Sequence, residues 1–294
     1  MANRRVLVKR RKSVRNIRKI TRTMQLIATA RFQAAFNRAV ATKPYNEKLA
    51  ELVAELSATA ENIEHPLLAK NEGVDRSALV VLTSSRGLCG GYNANVLRVA
   101  TQHIDELAGR GLDSDVRMVG KKGVAFFRFL KRPMVDQIVH IGDAPKFEDV
   151  EPIANALMDA FIKGEISSAY VSYTKFLSAG QQRPVVVQLL PLVRESAAGD
   201  EGANKGTRRA DYEFSPDPKQ LLDRLLPATV RVQLFQAFTD AAVSEQVARM
   251  VAMKAATDAA GDMIKALSRQ YNRARQTQIT MELLDIVGGA NALS

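Results

Sequence analysis

From Ala228 to Val287 the chain runs sixty residues without a proline, and Gly261 is the only glycine in that stretch. Read as one helix at 1.5 Å per residue, it spans about 90 Å. A compact globule of 294 residues has a radius of gyration of about 19 Å, hence a diameter near 50 Å. Such a helix has to project, and a projecting helix needs a partner. Apolar or small residues recur at Leu234, Phe235, Phe238, Ala241, Ala242, Ala248, Ala252, Ala256, Ala259, Met263, Leu267, Ala274 and Met281. A seam this rich in alanine predicts a second helix lying close against it.

The other chain end supplies that helix. Residues 3–64 contain no glycine and one proline, Pro44. Val14, Ile17, Thr21, Met24 and Ala28 step by three and four, which is a coiled-coil seam, and Ile20 and Ile27 widen it. Arg11, Arg15, Arg18 and Arg22 are expected on the opposite face. Beyond Pro44 the pattern resumes at Leu49, Leu52, Val53 and Leu56 and ends near His65-Pro66. The expectation is one long helix, with Pro44 the point where it can bend. The two ends then form an antiparallel pair.

Residues 75–195 read differently. Short β-rich runs at Ser77–Thr83, Val116–Val119, Val135–Ile141, Ala169–Tyr173 and Val185–Leu190 alternate with helical stretches at Ala94–Leu107, Lys122–Leu130 and Val150–Phe161. That alternation predicts a small α/β sheet domain. Ser196–Arg209, rich in Gly, Ala and charge, reads as a loop. The expected organisation is an N-terminal helix over 1–65, an α/β domain over 75–195, a linker over 196–215 and a C-terminal helix over 216–294.

The net charge of +11 is local. Residues 1–46 hold thirteen of the 42 Lys and Arg and no acid, which leaves 29 cations against all 31 acids in the rest. Thirteen cations without an acid attract phosphate, so nucleic acid is one reading, although interleaved aromatics are missing. A basic helix face against an acidic protein surface is another, and composition leaves both open. A cleaved targeting segment shares the composition, but the helical seam continues unbroken through Met24 and Ala28. Cys89, the single cysteine, excludes an intrachain disulfide, and three scattered histidines do not make a zinc cluster. No apolar run reaches the roughly 20 residues that span a bilayer.

Candidate chemistry is sparse. The cluster Arg86-Gly87-Leu88-Cys89-Gly90-Gly91-Tyr92-Asn93 lies between a strand and a helix, where a phosphate loop would lie. It fits neither the Walker nor the dinucleotide spacing, so a tight turn with close backbone packing is the better reading. Cys89 is read as a packed side chain rather than a nucleophile. At the far end Ile279, Met281, Leu283, Leu284, Ile286, Val287, Ala290 and Leu293 exceed what one partner helix covers. An apolar tip on a projecting rod calls for a partner protein.

Several long segments, in order, carry a family resemblance. They are Lys19–Ala28, Arg86–Gly91 with Asn93, Ser244–Gln246, Arg249–Asp258, Tyr271-Asn272, Ala274–Gln276, Ile279-Thr280, Glu282-Leu283, Ile286-Val287 and Gly289-Ala290. Together they make the chain similar to the γ subunits of bacterial F-type ATP synthases, nearly end to end. Ser85 stands where that family commonly has an acid. The resemblance implies an α+β fold: a long antiparallel, left-handed coiled coil of the terminal helices with an inserted, Rossmann-like α/β domain at its base. It implies a non-catalytic central-stalk rotor without cofactor or metal. The rotor turns inside a hexamer of three α and three β subunits, and its base joins the ε subunit and the c-subunit ring. Nucleic acid is not among the implied partners. The implied location is peripheral, on the cytoplasmic side of a bacterial inner membrane. Contacts with β map onto Met24, Arg249, Arg275, Gln276 and Thr280, and the apolar shaft tip onto Ile279, Leu283, Ile286, Val287 and Leu293.

Overall fold

The computed structural model describes residues 4–59, 65–192 and 218–292. The linker expected at 196–215 and the tip residue Leu293 lie outside the described residues. The chain divides into two compact units. The first comprises Met1–Ala30, Leu88–Gly90 and Ala248–Ser294, the second Arg31–Gly87 and Gly91–Val247. Helices α1 (Arg4–Thr59) and α5 (Pro218–Ala292) run through both. Among the described residues no helix is long and apolar enough to cross a membrane.

The second unit is built on a sheet of five strands: β1 (Arg76–Leu82), β2 (Asp113–Val119), β3 (Asp136–Ile138), β4 (Ser168–Ser178) and β5 (Gln181–Leu190). Their order is β3-β2-β1-β4-β5, all parallel except the β4–β5 hairpin. Helices α2 (Tyr92–Ala108), α3 (Lys121–Phe129) and α4 (Phe147–Ile162) connect the parallel strands. Each falls on a stretch that the sequence predicts to be helical. Six of seven β1 residues are buried, as a central parallel strand covered on both faces requires. Leu79, Val81, Val116 and Met118 pack on one face with Val96, Leu97 and Ala100 of α2 and Val124 and Phe127 of α3. Ala78, Val80, Leu82 and Val119 pack on the other with Val150, Ala154, Leu157 and Phe161 of α4. Leu222, Leu226, Val230 and Leu234 of α5 join that second core.

Those α5 residues explain why the helix continues through Pro227. The proline-free run starts at Ala228, yet α5 begins at Pro218, close to the expected 216, and carries Pro227 inside. A proline lacks one backbone donor, whereas four fully buried side chains at helical spacing each contribute roughly 1.5–3 kcal/mol. The burial wins. Pro44 likewise lies inside α1, which continues through it.

At the end of β1 the backbone comes very close to the β2–α3 turn. Thr83 donates from its amide and its hydroxyl to the Val119 carbonyl, at 2.9 and 2.7 Å. Gly123 N–H donates to Thr83 Oγ1 at 3.0 Å, and Gly120 N–H to the Ile138 carbonyl at 2.9 Å. Gly120 has φ of +94°, and a Cβ there would lie 2.1 Å from the Thr83 carbonyl oxygen.

Where α1, α5 and β4 meet in this unit, Asn46 donates to Gln236 Oε1 at 2.6 Å and Gln236 donates to Asp240 Oδ1 at 2.8 Å. Burial pushes the Asp240 carboxyl up to about 6, against the hydrogen bonds from Gln236 and the Phe176 backbone and the charge of Lys175. Burial, with the Asp240 charge, pushes Tyr173 up to about 12. The folded chain therefore holds a proton on Asp240 that the unfolded chain releases between about pH 4 and pH 6. Stability contributed by this group falls as pH rises through that window, by up to roughly 2–3 kcal/mol, and is flat above it. Denaturant unfolding at pH 4.5 and 7 is expected to show this slope in the native chain and its loss in Asp240→Asn.

Candidate interaction surfaces of the paired helices

In the first unit, three contacts set the pairing of α1 with α5. Thr257 donates to Thr21 Oγ1 at 2.8 Å, the Arg18 guanidinium carbon lies 3.8 Å from where a Gly261 Cβ would be, and the Arg11 guanidinium lies 4.9 Å from the Tyr271 ring centre. Partners advance along one helix as they retreat along the other, so the pair is antiparallel.

The buried stripes differ from the expected seams. On α1 the residues turned inward are Leu7, Arg11, Val14, Thr21, Met24, Gln25 and Ala28, whereas Ile17, Ile20 and Ile27 are exposed. Arg11 and Arg18, expected on the far side, meet α5. Tyr271 offers Arg11 a π face, and Gly261 leaves room for the Arg18 guanidinium. On α5 the inward residues are Met253, Thr257, Ala260, Ile264, Leu267, Tyr271 and Ala274. Ala259, Met263 and Met281, three members of the expected seam, are exposed. The seam alanines Ala248 and Ala252 have a different partner. A Cβ on Gly90 would lie 3.7 Å from Ala252 Cβ and 4.0 Å from the Ala248 carbonyl oxygen. Leu88 and Gly90 both take positive φ, +64° and +58°. The glycine cluster is thus a turn laid against small residues of α5, as the spacing predicts, and Cys89 is buried in it.

The five mapped residues do not form one cluster. Met24 is half-buried beside Gln25, whose Oε1 is buried without a hydrogen-bond partner. Arg249 is buried, and the Thr21–Thr257 register sets it about one turn further, level with Ala28. Arg275, Gln276 and Thr280 are exposed, with Thr280 Oγ1 donating to the Gln276 carbonyl at 3.0 Å. From Arg249 to Arg275 is a rise of about 39 Å along α5. The residues therefore occupy two levels of one helix pair.

Beyond Arg275 the apolar side chains lose their cover. The same register sets Arg4, the first described residue of α1, level with Ala274. Ile279, Leu283, Ile286 and Val287 accordingly range from 47 to 69% exposed. The periodicity alone does not reveal a second apolar surface on α1: Val6, Val8, Ile17, Ile20, Leu26 and Ile27 are exposed among the cations. The spacing assigns Ile17, Ile20 and Ile27 to the seam, so this surface is hidden in the sequence pattern. Apolar patches this extended mark a protein interface.

The family model described as ATP synthase matches residues 3–293. The chain is 47% identical over 297 residues to an ATP synthase gamma chain of Rhodopirellula baltica, covering 100% of this chain and 99% of that one. It is 40% identical to an ATP synthase gamma chain of Leptospira biflexa, with 100% of both chains covered. In fold it resembles the rotor of Euglena gracilis mitochondrial ATP synthase, with a TM-score of 0.62 at 16% identity, covering 94% of this chain and 98% of that chain. The central stalk of Tetrahymena thermophila mitochondrial ATP synthase aligns with a TM-score of 0.57 at 19% identity, covering 81% and 99%. The chain belongs to the ATP synthase gamma-chain family.

Proposed function

We propose that this chain is the central-stalk rotor of a bacterial ATP synthase and carries no catalytic site of its own. The α1–α5 pair is the shaft, and the sheet domain is the base. The observation that carries this reading is the last part of α5, where the apolar side chains Ile279, Leu283, Ile286 and Val287 are exposed. A surface of that kind is stable inside a sleeve of other subunits, and a hexamer of three α and three β subunits is such a sleeve. The base then joins the ε subunit and the c-subunit ring, so the chain is held at the cytoplasmic side of the inner membrane through the complex.

The mechanism is a population shift. A rotor face changes a β subunit only if it binds one β conformation better than another. The shaft offers unequal faces: a cationic α1 interleaved with exposed isoleucines, and an α5 whose polar level at Arg275, Gln276 and Thr280 gives way to the apolar tip. Turning it presents each β subunit with these faces in sequence. Moving one charge through 100 mV supplies about 2.3 kcal/mol, so several ions act through one shaft per nucleotide made. Two packed helices transmit that torque better than one.

Arg275, Gln276 and Thr280 are the residues we assign to a polar loop of β, with Met24 and Arg249 contributing at the inner level. Gln276→Ala combined with Thr280→Ala removes two polar contacts of roughly 1 kcal/mol each. The expected outcome is a loss of about thirtyfold in shaft-dependent ATP hydrolysis after reconstitution with α and β subunits, at unchanged helical content. Unchanged hydrolysis and synthesis would remove these residues from the contact.

A further inference from the structure

A second exposed surface lies on the sheet domain. The segment Lys121-Lys122-Gly123-Val124-Ala125-Phe126-Phe127-Arg128-Phe129-Leu130-Lys131-Arg132 carries five cations and no acid. Helix α3 buries Val124 and Phe127 against the sheet. Its outer face leaves Phe126 and Leu130 exposed, and Phe129 is 83% exposed. Nothing in the folding of this domain requires a phenylalanine there.

The neighbouring strand enlarges the patch. Met118 pairs in register with Gln137 and Val119 with Ile138. Met118 belongs to the core beneath α3, whereas Val119 and Ile138 belong to the core on the opposite face. Gln137 therefore faces the α3 side, and Val135 and Val139 flank the strand on either end. Both valines are exposed. Arg128 Nη2 donates to Gln137 Oε1 at 2.6 Å, which ties the last turn of α3 to this strand. Strand β3 is also the end of the sheet, with β2 its one partner.

The charge around the apolar centre is uncompensated. Arg132 meets Asp105 at 2.9 Å, but among the described residues Lys121, Arg128 and Lys131 have no carboxylate within 4.0 Å. Their exposed ammonium and guanidinium groups surround aromatic and aliphatic side chains. Two of the rim cations, Arg128 and Arg132, are already held by hydrogen bonds, so little ordering is lost on binding.

We propose that the outer face of α3 with the adjoining β3 edge is a docking surface for a protein partner that surrounds an apolar anchor with carboxylates. Charge complementarity selects the acidic partner, and the exposed phenylalanine supplies the anchor. The open strand edge favours a polypeptide over a lipid surface, because its outward backbone groups are satisfied by another backbone. The inference depends on the proposed function only for the complex in which it is tested.

The test places a photoreactive phenylalanine analogue at position 129 of the full chain, in the complex assembled with α, β and the remaining subunits in their membrane. The expected result is a cross-link to a protein segment rich in Asp and Glu. Lys121→Glu with Lys131→Glu should reduce its yield at least fivefold, and so should high salt, while leaving the melting temperature of the chain unchanged. Cross-linking only to phospholipid would overturn the proposal in favour of a membrane contact, and labelling by solvent alone would overturn it outright. A complex that assembles and hydrolyses ATP without the adduct sinks this inference alone. Failure of α and β to co-assemble would instead sink the rotor reading.

Discussion

Gly120→Ala is expected to unfold the sheet domain or leave it barely stable. The backbone at this position has φ of +94°, a region that alanine occupies only under strain. Its Cβ would lie 2.1 Å from the carbonyl oxygen of Thr83 and 2.7 Å from the carbonyl carbon. Neither is a flexible side-chain end that can swing away. Relief requires separating the end of β1 from the β2–α3 turn, which breaks the bonds of Thr83 to Val119 and of Gly123 to Thr83. Backbone strain of about 1–3 kcal/mol and two or three lost hydrogen bonds of about 1 kcal/mol each place the cost on the order of 4–6 kcal/mol. That is comparable with the whole stability of many domains. Denaturant unfolding followed by circular dichroism checks it: a midpoint within experimental error of the native one would show that the turn relaxes freely.

The second large effect is expected from Ala28→Lys. Ala28 is 1% exposed on the inward stripe of α1, level with the buried Arg249. A lysine there has no room, and α1 offers no acid before Glu47 to receive its charge. Overpacking and an unpaired, partly desolvated cation together cost on the order of 3–5 kcal/mol. The inward stripes of the first unit mix large side chains such as Leu7, Met24, Met253 and Leu267 with Thr21, Gln25, Thr257 and Ala260, and none of these offers a carboxylate. The pairing of α1 with α5 should therefore open while the sheet domain stays folded. Hydrogen exchange resolves the two: fast exchange across 4–30 and 248–292 with protection kept in 76–190 is the expected pattern. Rotor-dependent ATP hydrolysis should fall with it. Uniform protection would mean that the stripe tolerates the charge.

The sequence pattern makes the elements legible and their contacts less so. Every strand and every helix of the sheet domain lies where alternation and periodicity set it, because β1, α2 and α4 have clean apolar faces. The paired helices are recognisable from the missing glycine and proline, but their seams are displaced. The reason is that α5 carries two adjacent stripes of small residues. Ala248 and Ala252 receive the turn at Gly90, whereas Met253, Thr257 and Ala260 face α1. An alanine count merges the two. On α1, arginines serve as seam residues and isoleucines face outward, which inverts the usual hydrophobic reading. Gly120 carries no signal in the sequence, since a close approach of backbone to backbone depends on residues 37 apart. The exposed tip at Ile279–Val287 is readable, because apolar residues there outnumber what a single partner helix covers.

The central claim is that this chain turns as a shaft within other subunits. The most direct measurement fixes a hexamer of α and β subunits to a surface, with this chain as the central subunit, and attaches a bead or gold rod to its sheet domain. On addition of ATP the probe is expected to rotate in one direction, and to stop when nucleotide is withdrawn. A hexamer that binds the chain and hydrolyses ATP while the probe stays fixed, or only diffuses without direction, would contradict the account.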